Sequence, residues 1–164
     1  MSSSKARILG IDPGTGILGF GVIEVGAGQK LKLVDGGVIR TKTNQPLDER
    51  LIEIYRYLAS VISKTRPNVM AVEKLFFAKN VTTAISVSHA RGVAMLAGKL
   101  AGLEISEYTP LQVKQSLTGY GRADKKQVQE MVRVLLGLKD IPKPDDCADA
   151  LACAITHSMT ARVK

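Results

Sequence analysis

A chain of 164 residues is the size of one domain and can bury roughly 70% of its unfolded surface, so a core needs neither disulfides nor structural zinc. With 45% hydrophobic and 23% charged residues and no run of ~20 apolar residues, the composition fits a globular domain and argues against a membrane-spanning helix. Lys plus Arg number 23 against 15 Asp plus Glu; the formal charge of +8 points to polyanionic partners, nucleic acid foremost, and names no chemistry.

Met1-Ser2-Ser3-Ser4-Lys5 leads straight into a strand-like segment with no apolar signal region, so an intracellular, cytoplasmic protein is expected. Arg7 to Asp12 reads as a buried strand, stopped by Pro13-Gly14. Gly19 to Val25 and Leu31 to Arg40 follow as strands with short Gly-containing connections, which suggests an antiparallel meander. Asn44-Gln45-Pro46 opens a helix to about Lys64, with Leu51, Ile54, Tyr55, Leu58 and Ile62 on one face. Pro67-Asn68 breaks it, and Val69 to Glu73 reads as a short buried strand. Asn80 can cap a long helix that Gly102 ends; Glu104 to Tyr108 is the next strand. Thr109-Pro110 starts a helix to about Thr118, Gly119-Tyr120-Gly121 forms a loop, and helices run from about Asp124 to Leu136 and Asp145 to Ala161. The order predicts an α/β sheet, part antiparallel and part parallel.

Two carboxylates end strand-like runs: Asp12 and Glu73. A right-handed crossover would make those strands parallel neighbours and bring both acids to one sheet edge, where open α/β sheets place ligands. Asp146 and Asp149 lie three apart on the last helix and share a face; Asp145 and Asp149, four apart, satisfy the same spacing. Four acids at one edge repel one another unless hard cations compensate them. Oxygen ligands of this kind suit Mg²⁺ or Mn²⁺, and two such ions ~3.5–4 Å apart can drive phosphodiester hydrolysis. The structural alternatives are that Asp12 merely enters a turn and that Asp145 or Asp146 merely caps a helix after Pro144.

Other features are weaker. Gly14-Thr15-Gly16-Ile17-Leu18-Gly19 satisfies G-x-G-x-x-G, with Asp35 downstream, but a dinucleotide site needs a helix after the glycines and a strand is predicted. An actin-like ATPase would need a second domain and a second phosphate loop, which 164 residues do not provide. A non-catalytic DNA-binding module remains a rival. Cys147 and Cys153, six apart on a helix, face different ways and read as buried thiols. His89 and His157 lie singly in amphipathic helices, and Tyr120 between glycines is a thin signal for DNA contact.

The segments Gly10-Ile11-Asp12-Pro13-Gly14-Thr15, Ala71-Val72-Glu73-Lys74-Leu75-Phe76, Gln112-Val113-Lys114-Gln115 and Asp146-Cys147-Ala148-Asp149-Ala150-Leu151-Ala152 resemble, in order, the bacterial RuvC Holliday-junction resolvases. The resemblance spans essentially the whole chain. It implies one ribonuclease H-like domain over residues 1–164, with a five-stranded mixed sheet, first three strands antiparallel, flanked by helices. It implies a homodimer that nicks opposed strands of a four-way DNA junction during recombination and repair. Asp12, Glu73, Asp146 and Asp149 would be the ligands of Mg²⁺, two per subunit, with Mn²⁺ able to substitute. Some relatives carry His at the position of Asp146. Lys114 and Lys125 would lie near the DNA backbone, Phe76 would stack on bases, and the RuvA–RuvB branch-migration machinery would be a partner.

The residues themselves are compatible with those roles. Lys114 and Lys125 flank the 119–121 loop, and Phe76-Phe77 sits between Lys74 and Lys79, as suits base stacking or a loop anchor. On the long helix Ala84, Ser88, Gly92, Met95 and Leu96 could permit close packing, against a second copy or within the domain's own core.

Overall fold

The computed structural model describes residues 5–74 and 81–161. Strands β1 (Ala6–Asp12), β2 (Ile17–Val25) and β3 (Leu31–Arg40) precede helix α1 (Leu47–Thr65). Strand β4 (Val69–Glu73), helix α2 (Val81–Leu100) and strand β5 (Glu104–Tyr108) follow, and helices α3 (Pro110–Thr118), α4 (Lys125–Leu135) and α5 (Asp145–Thr160) complete the order. The expected start of β2 at Gly19 is two residues late. Ile17 and Leu18 pair with Arg40 and Ile39, and Leu18 is fully buried, so hydrophobic burial extends the hairpin toward the Gly14–Gly16 turn. Asn80, expected to cap α2, lies outside the described residues.

The five strands run in the order β3-β2-β1-β4-β5. β1 pairs antiparallel with β2, and β2 with β3, while β4 is parallel to both β1 and β5. This is the mixed sheet the element order predicts.

Strand alternation divides the core in two. Leu9, Ile11, Phe20, Met70 and Val72 pack under α1 and α2, joining Ile54, Leu58, Ala90 and Ala94. On the other face Ile8, Ile23 and Ala71 meet Leu151, Ala154 and Ile155 of α5, with Val128 and Val132 of α4 behind them. Because α5 lies between the sheet and the α3–α4 pair, it is apolar nearly all round; Cys147 through Ile155 is buried apart from Asp149. Cys147 and Cys153 are free and buried, as their spacing suggests. Among the described residues no helix is long and apolar enough to cross a membrane.

Three glycines set how close α5 comes. A Cβ on Gly10 would overlap the carbonyl oxygen of Ala150, one on Gly19 that of Asp146, and one on Gly21 the Leu151 side chain. Gly10 pairs with Gly21, and Gly19 with Asp12, across the β1–β2 ladder. The glycines therefore form a bare patch on which the first half of α5 rests its backbone.

Candidate active site

β1 ends at Asp12 and β4 at Glu73, with Ile11 in register beside Val72. The parallel pairing brings both acids to the same sheet edge. Ile8 and Ala71 face α5, so alternation turns Asp12 and Glu73 toward α5 as well. The glycine patch then holds the first turns of α5 over them, which delivers Asp146 and Asp149 to the same edge.

Electrostatics register the gathering. Burial raises Asp12 to a pKa of about 9, helped by the charges of Glu73, Asp149 and Asp146 and by a side-chain hydrogen bond with Asp146. Burial and the Asp149 charge push Glu73 above the usual carboxylate range, against the pull of an Asp12 hydrogen bond, Lys125 and Lys114. Asp149 is raised by burial, opposed by Lys125. The four acids influence one another, yet among the described residues no three His, Cys, Asp or Glu side chains converge into a ready metal-binding group.

Asp145 and Asp146 part company. Pro144 is the N-cap residue of α5 and no side chain caps it, so neither acid is the cap that their position after Pro144 suggested. Asp145 turns to α4: its Oδ1 accepts from Gln129 Nε2 at 3.1 Å, and its Oδ2 lies 3.5 Å from Lys125 Nζ. Asp146 turns to Asp12.

The two lysines reach the site from well-capped helices. Thr109 accepts from Gln112 N while the Gln112 side chain accepts from Thr109 N, and Asp124 and Gln127 repeat this capping box at α4. These caps fix Lys114 one turn into α3 and place Lys125 at the first position of α4. Lys125 Nζ lies 3.4 Å from Asp149 Oδ2; burial opposes its charge, but Asp149 and Asp145 outweigh burial and raise its pKa. Lys114, Lys125, Glu73 and Asp149 line one cleft of about 310 Å³, floored by Ala152 and Cys153. Phe76 and its neighbours Phe77 and Lys79 lie outside the described residues.

The arrangement combines oxygen donors on rigid strand ends with two cations at the rim. The donor set is all carboxylate, which fits Mg²⁺ or Mn²⁺ and does not suit zinc. A bound cation would also offset the burial and repulsion that favour the protonated forms of Asp12 and Glu73. Such a cleft can take a phosphodiester and deliver water to it. The Gly14–Gly16 turn leads into β2 rather than a helix, so no helix N-terminus follows these glycines to receive a dinucleotide pyrophosphate.

Sequence reasoning missed several supports. Arg91 of α2 donates from Nε to the carbonyl oxygen of Glu73 at 3.3 Å and pairs with Glu107 at 3.1 Å. Thr15, just past Asp12, shares a hydrogen bond with Ser86 of α2, and its carbonyl accepts from the Thr41 hydroxyl, which in turn accepts from Arg50 Nε at 2.9 Å. His157, which lies singly in its helix by sequence, is hydrogen-bonded through Nδ1 to Tyr108 Oη at 2.7 Å.

A family model described as crossover junction endodeoxyribonuclease RuvC matches residues 8–157. The crossover junction endodeoxyribonuclease RuvC of Brevibacillus brevis is 56% identical over 152 residues, covering 93% of this chain and 91% of that one. That of Desulfitobacterium hafniense is 57% identical over 151 residues, covering 92% and 91%. Among solved structures, T. thermophilus RuvC in complex with Holliday junction substrate matches with a TM-score of 0.92 at 41% identity, over 96% of each chain. The yeast mitochondrial Holliday junction resolvase Ydc2 matches at a TM-score of 0.68 and 14% identity, over 94% of this chain and 79% of its own, a likeness of fold.

Proposed function

The chain belongs to the RuvC family of crossover junction endodeoxyribonucleases, and on that premise we propose that Asp12, Glu73, Asp146 and Asp149 are its metal ligands in the nicking of Holliday junctions. It is a nuclease with a ribonuclease H-like sheet, acting on four-way DNA in recombination and repair. RuvC nucleases depend on divalent metal. The finer assignment, Mg²⁺ with two ions per subunit and Mn²⁺ as a substitute, rests on the all-carboxylate donor set.

The observation that carries this reading is the cleft itself, where Glu73 and Asp149 face Lys114 and Lys125. Strand-end carboxylates cannot swing far, so Asp12 and Glu73 set the site, and Asp146 and Asp149 close it from α5. When bound there, divalent cations supply an activated water and stabilise the leaving oxygen. Lys114 holds a backbone phosphate from the α3 side. Lys125, at 3.4 Å from Asp149, neutralises charge on the α4 side and can pass to a DNA phosphate while Asp145 keeps it nearby. Phe76 stacks on a base near the junction centre, by resemblance to the family.

Paired nicks need two sites, and a homodimer provides them. α2 supports this. Val81, Ile85, Leu96 and Leu100 are exposed along one side of it, and Gly92 between them leaves open space where a partner could approach. Of the small residues expected to permit close packing, Ala84 instead turns into the domain. The family resemblance further assigns the RuvA–RuvB branch-migration machinery as a partner and the cytoplasm as the place of action.

The test is nicking of a synthetic four-way junction beside a linear duplex of the same sequence, with Mg²⁺ and with chelator. Cleavage of the junction in Mg²⁺ alone is expected. Equal cleavage of the linear duplex would reduce the protein to a general nuclease, and cleavage in chelator would remove the metal from the reading.

A further inference from the structure

Glu73 ends its strand with an unusual backbone problem. The β1–β4 ladder stops at Ile11 beside Val72, one residue short, so the Glu73 carbonyl has no partner in β1. On the other side β4 continues in register with β5, and Lys74 N donates to Tyr108 O at 2.8 Å. An unpaired carbonyl leaves a strand end free to fray, and with it the carboxylate it carries.

Arg91 answers this from behind the sheet. It belongs to α2, on the face opposite the carboxylate cleft, and its side chain is only 18% exposed. Its Nε donates to the Glu73 carbonyl at 3.3 Å, while Nη2 sits 3.1 Å from Glu107 Oε2. Glu107 lies beside Val72 in the β4–β5 register. One guanidinium thus ties α2, the end of β4 and β5 together, and its planar fork resists rotation in a way that a single contact would not. Ser86 of the same helix bonds Thr15, three residues past Asp12, so α2 holds the turn after the other strand-end acid too.

We propose that Arg91 is a positioning residue for the hydrolysis, clamping the main chain of Glu73 to α2 and β5 so that its carboxylate enters the cleft in one orientation. Arg91 is not among the residues that line the cleft. Its role rests on Glu73 being a metal ligand.

The experiment compares Arg91→Met, Arg91→Lys and Glu107→Gln with the unmodified protein and with Glu73→Gln. Mn²⁺ binding without DNA is followed by electron paramagnetic resonance of the free ion, and kcat and KM are measured for nicking a four-way junction. Arg91→Met should weaken Mn²⁺ binding and lower kcat, each by roughly tenfold, the usual scale for removing a group that orients a metal ligand. KM for the junction should stay unchanged, Arg91→Lys should recover part of the loss, and Glu107→Gln should move the same quantities less far. A lower melting temperature with unchanged Mn²⁺ affinity and kcat would make Arg91 merely structural and overturn the proposal. If Arg91→Met does not fold, unchanged Mn²⁺ affinity and kcat in both Arg91→Lys and Glu107→Gln overturn it equally. Normal nicking by Glu73→Gln would instead overturn the ligand assignment beneath it, so the two failures are distinct.

Discussion

Asp145 and Asp146 are consecutive on α5 and serve opposite neighbours: Asp146 faces Asp12 and helps raise its pKa, while Asp145 pairs with Lys125 and Gln129 of α4. One residue along a helix is a turn of about 100°, which separates the sheet edge from the flanking helix. Asp146→Asn should therefore cost most of the nicking activity. Asp145→Asn should keep most of it, because an exposed ion pair such as Asp145–Lys125 contributes only about 0–1 kcal/mol. Parallel nicking assays with saturating Mg²⁺ check the contrast, and equal losses would remove it.

The crowded acids make stability depend on pH and metal. Asp12 is raised from 3.8 to about 9 by burial and by its acidic neighbours, and Glu73 and Asp149 are raised as well. Between about pH 4 and pH 9 the folded state then holds more protons than the unfolded state, so without divalent cations stability falls as pH rises through that window. Adding Mg²⁺ should raise the melting temperature, and by more at pH 8 than at pH 5, since the metal displaces those protons. Asp12→Asn should flatten the pH dependence in chelator and raise stability there. Thermal melts across pH, with and without Mg²⁺, read all three effects.

The glycine patch gives a prediction about distance. Gly10→Ala places a methyl into the carbonyl of Ala150, and Gly19→Ala one into that of Asp146. Backbone cannot yield as a side-chain tip does, so each should cost about 1–3 kcal/mol or more of stability. Nicking should fall further than junction binding, because displacing α5 moves Asp146 and Asp149 away from Asp12 and Glu73 on the sheet. Denaturant unfolding and gel-shift titrations separate the two.

DNA affinity should be steeply salt-dependent, because every phosphate neutralised by a lysine or arginine releases a counterion. Removing one such cation makes the slope of log affinity against log salt shallower by about one. Lys114→Ala should show this, weakening binding to junctions of any sequence. On the proposed homodimer, a charge placed on the exposed side of α2, as in Leu96→Glu, should instead yield monomers in sedimentation and uncouple the paired nicks.

Much of this architecture is legible in the sequence because it follows from short-range rules. Periods of two and 3.6 give the strands and helices, and a right-handed crossover is enough to set Glu73 beside Asp12. What escapes depends on contacts between distant segments. Gly19 imitates the end of a phosphate loop, yet its task comes from Asp146, far along the chain. Spacing allows either Asp145 or Asp146, since which side of α5 meets the sheet is decided by the glycines beneath it. Arg91 leaves no pattern at all, because its partner in β4 is a backbone carbonyl that every residue possesses. Spacing alone reads Lys114 and Lys125 as solvated lysines; the fold brings both into one cleft with Glu73 and Asp149.

The most direct test of the central claim is the nicking of a synthetic four-way junction in Mg²⁺ by Asp12→Asn and Glu73→Gln, with junction binding measured on the same preparations. Abolished cleavage with binding retained is the expected result. Normal cleavage by either amide variant would contradict the assignment of these strand-end carboxylates as the metal-binding centre.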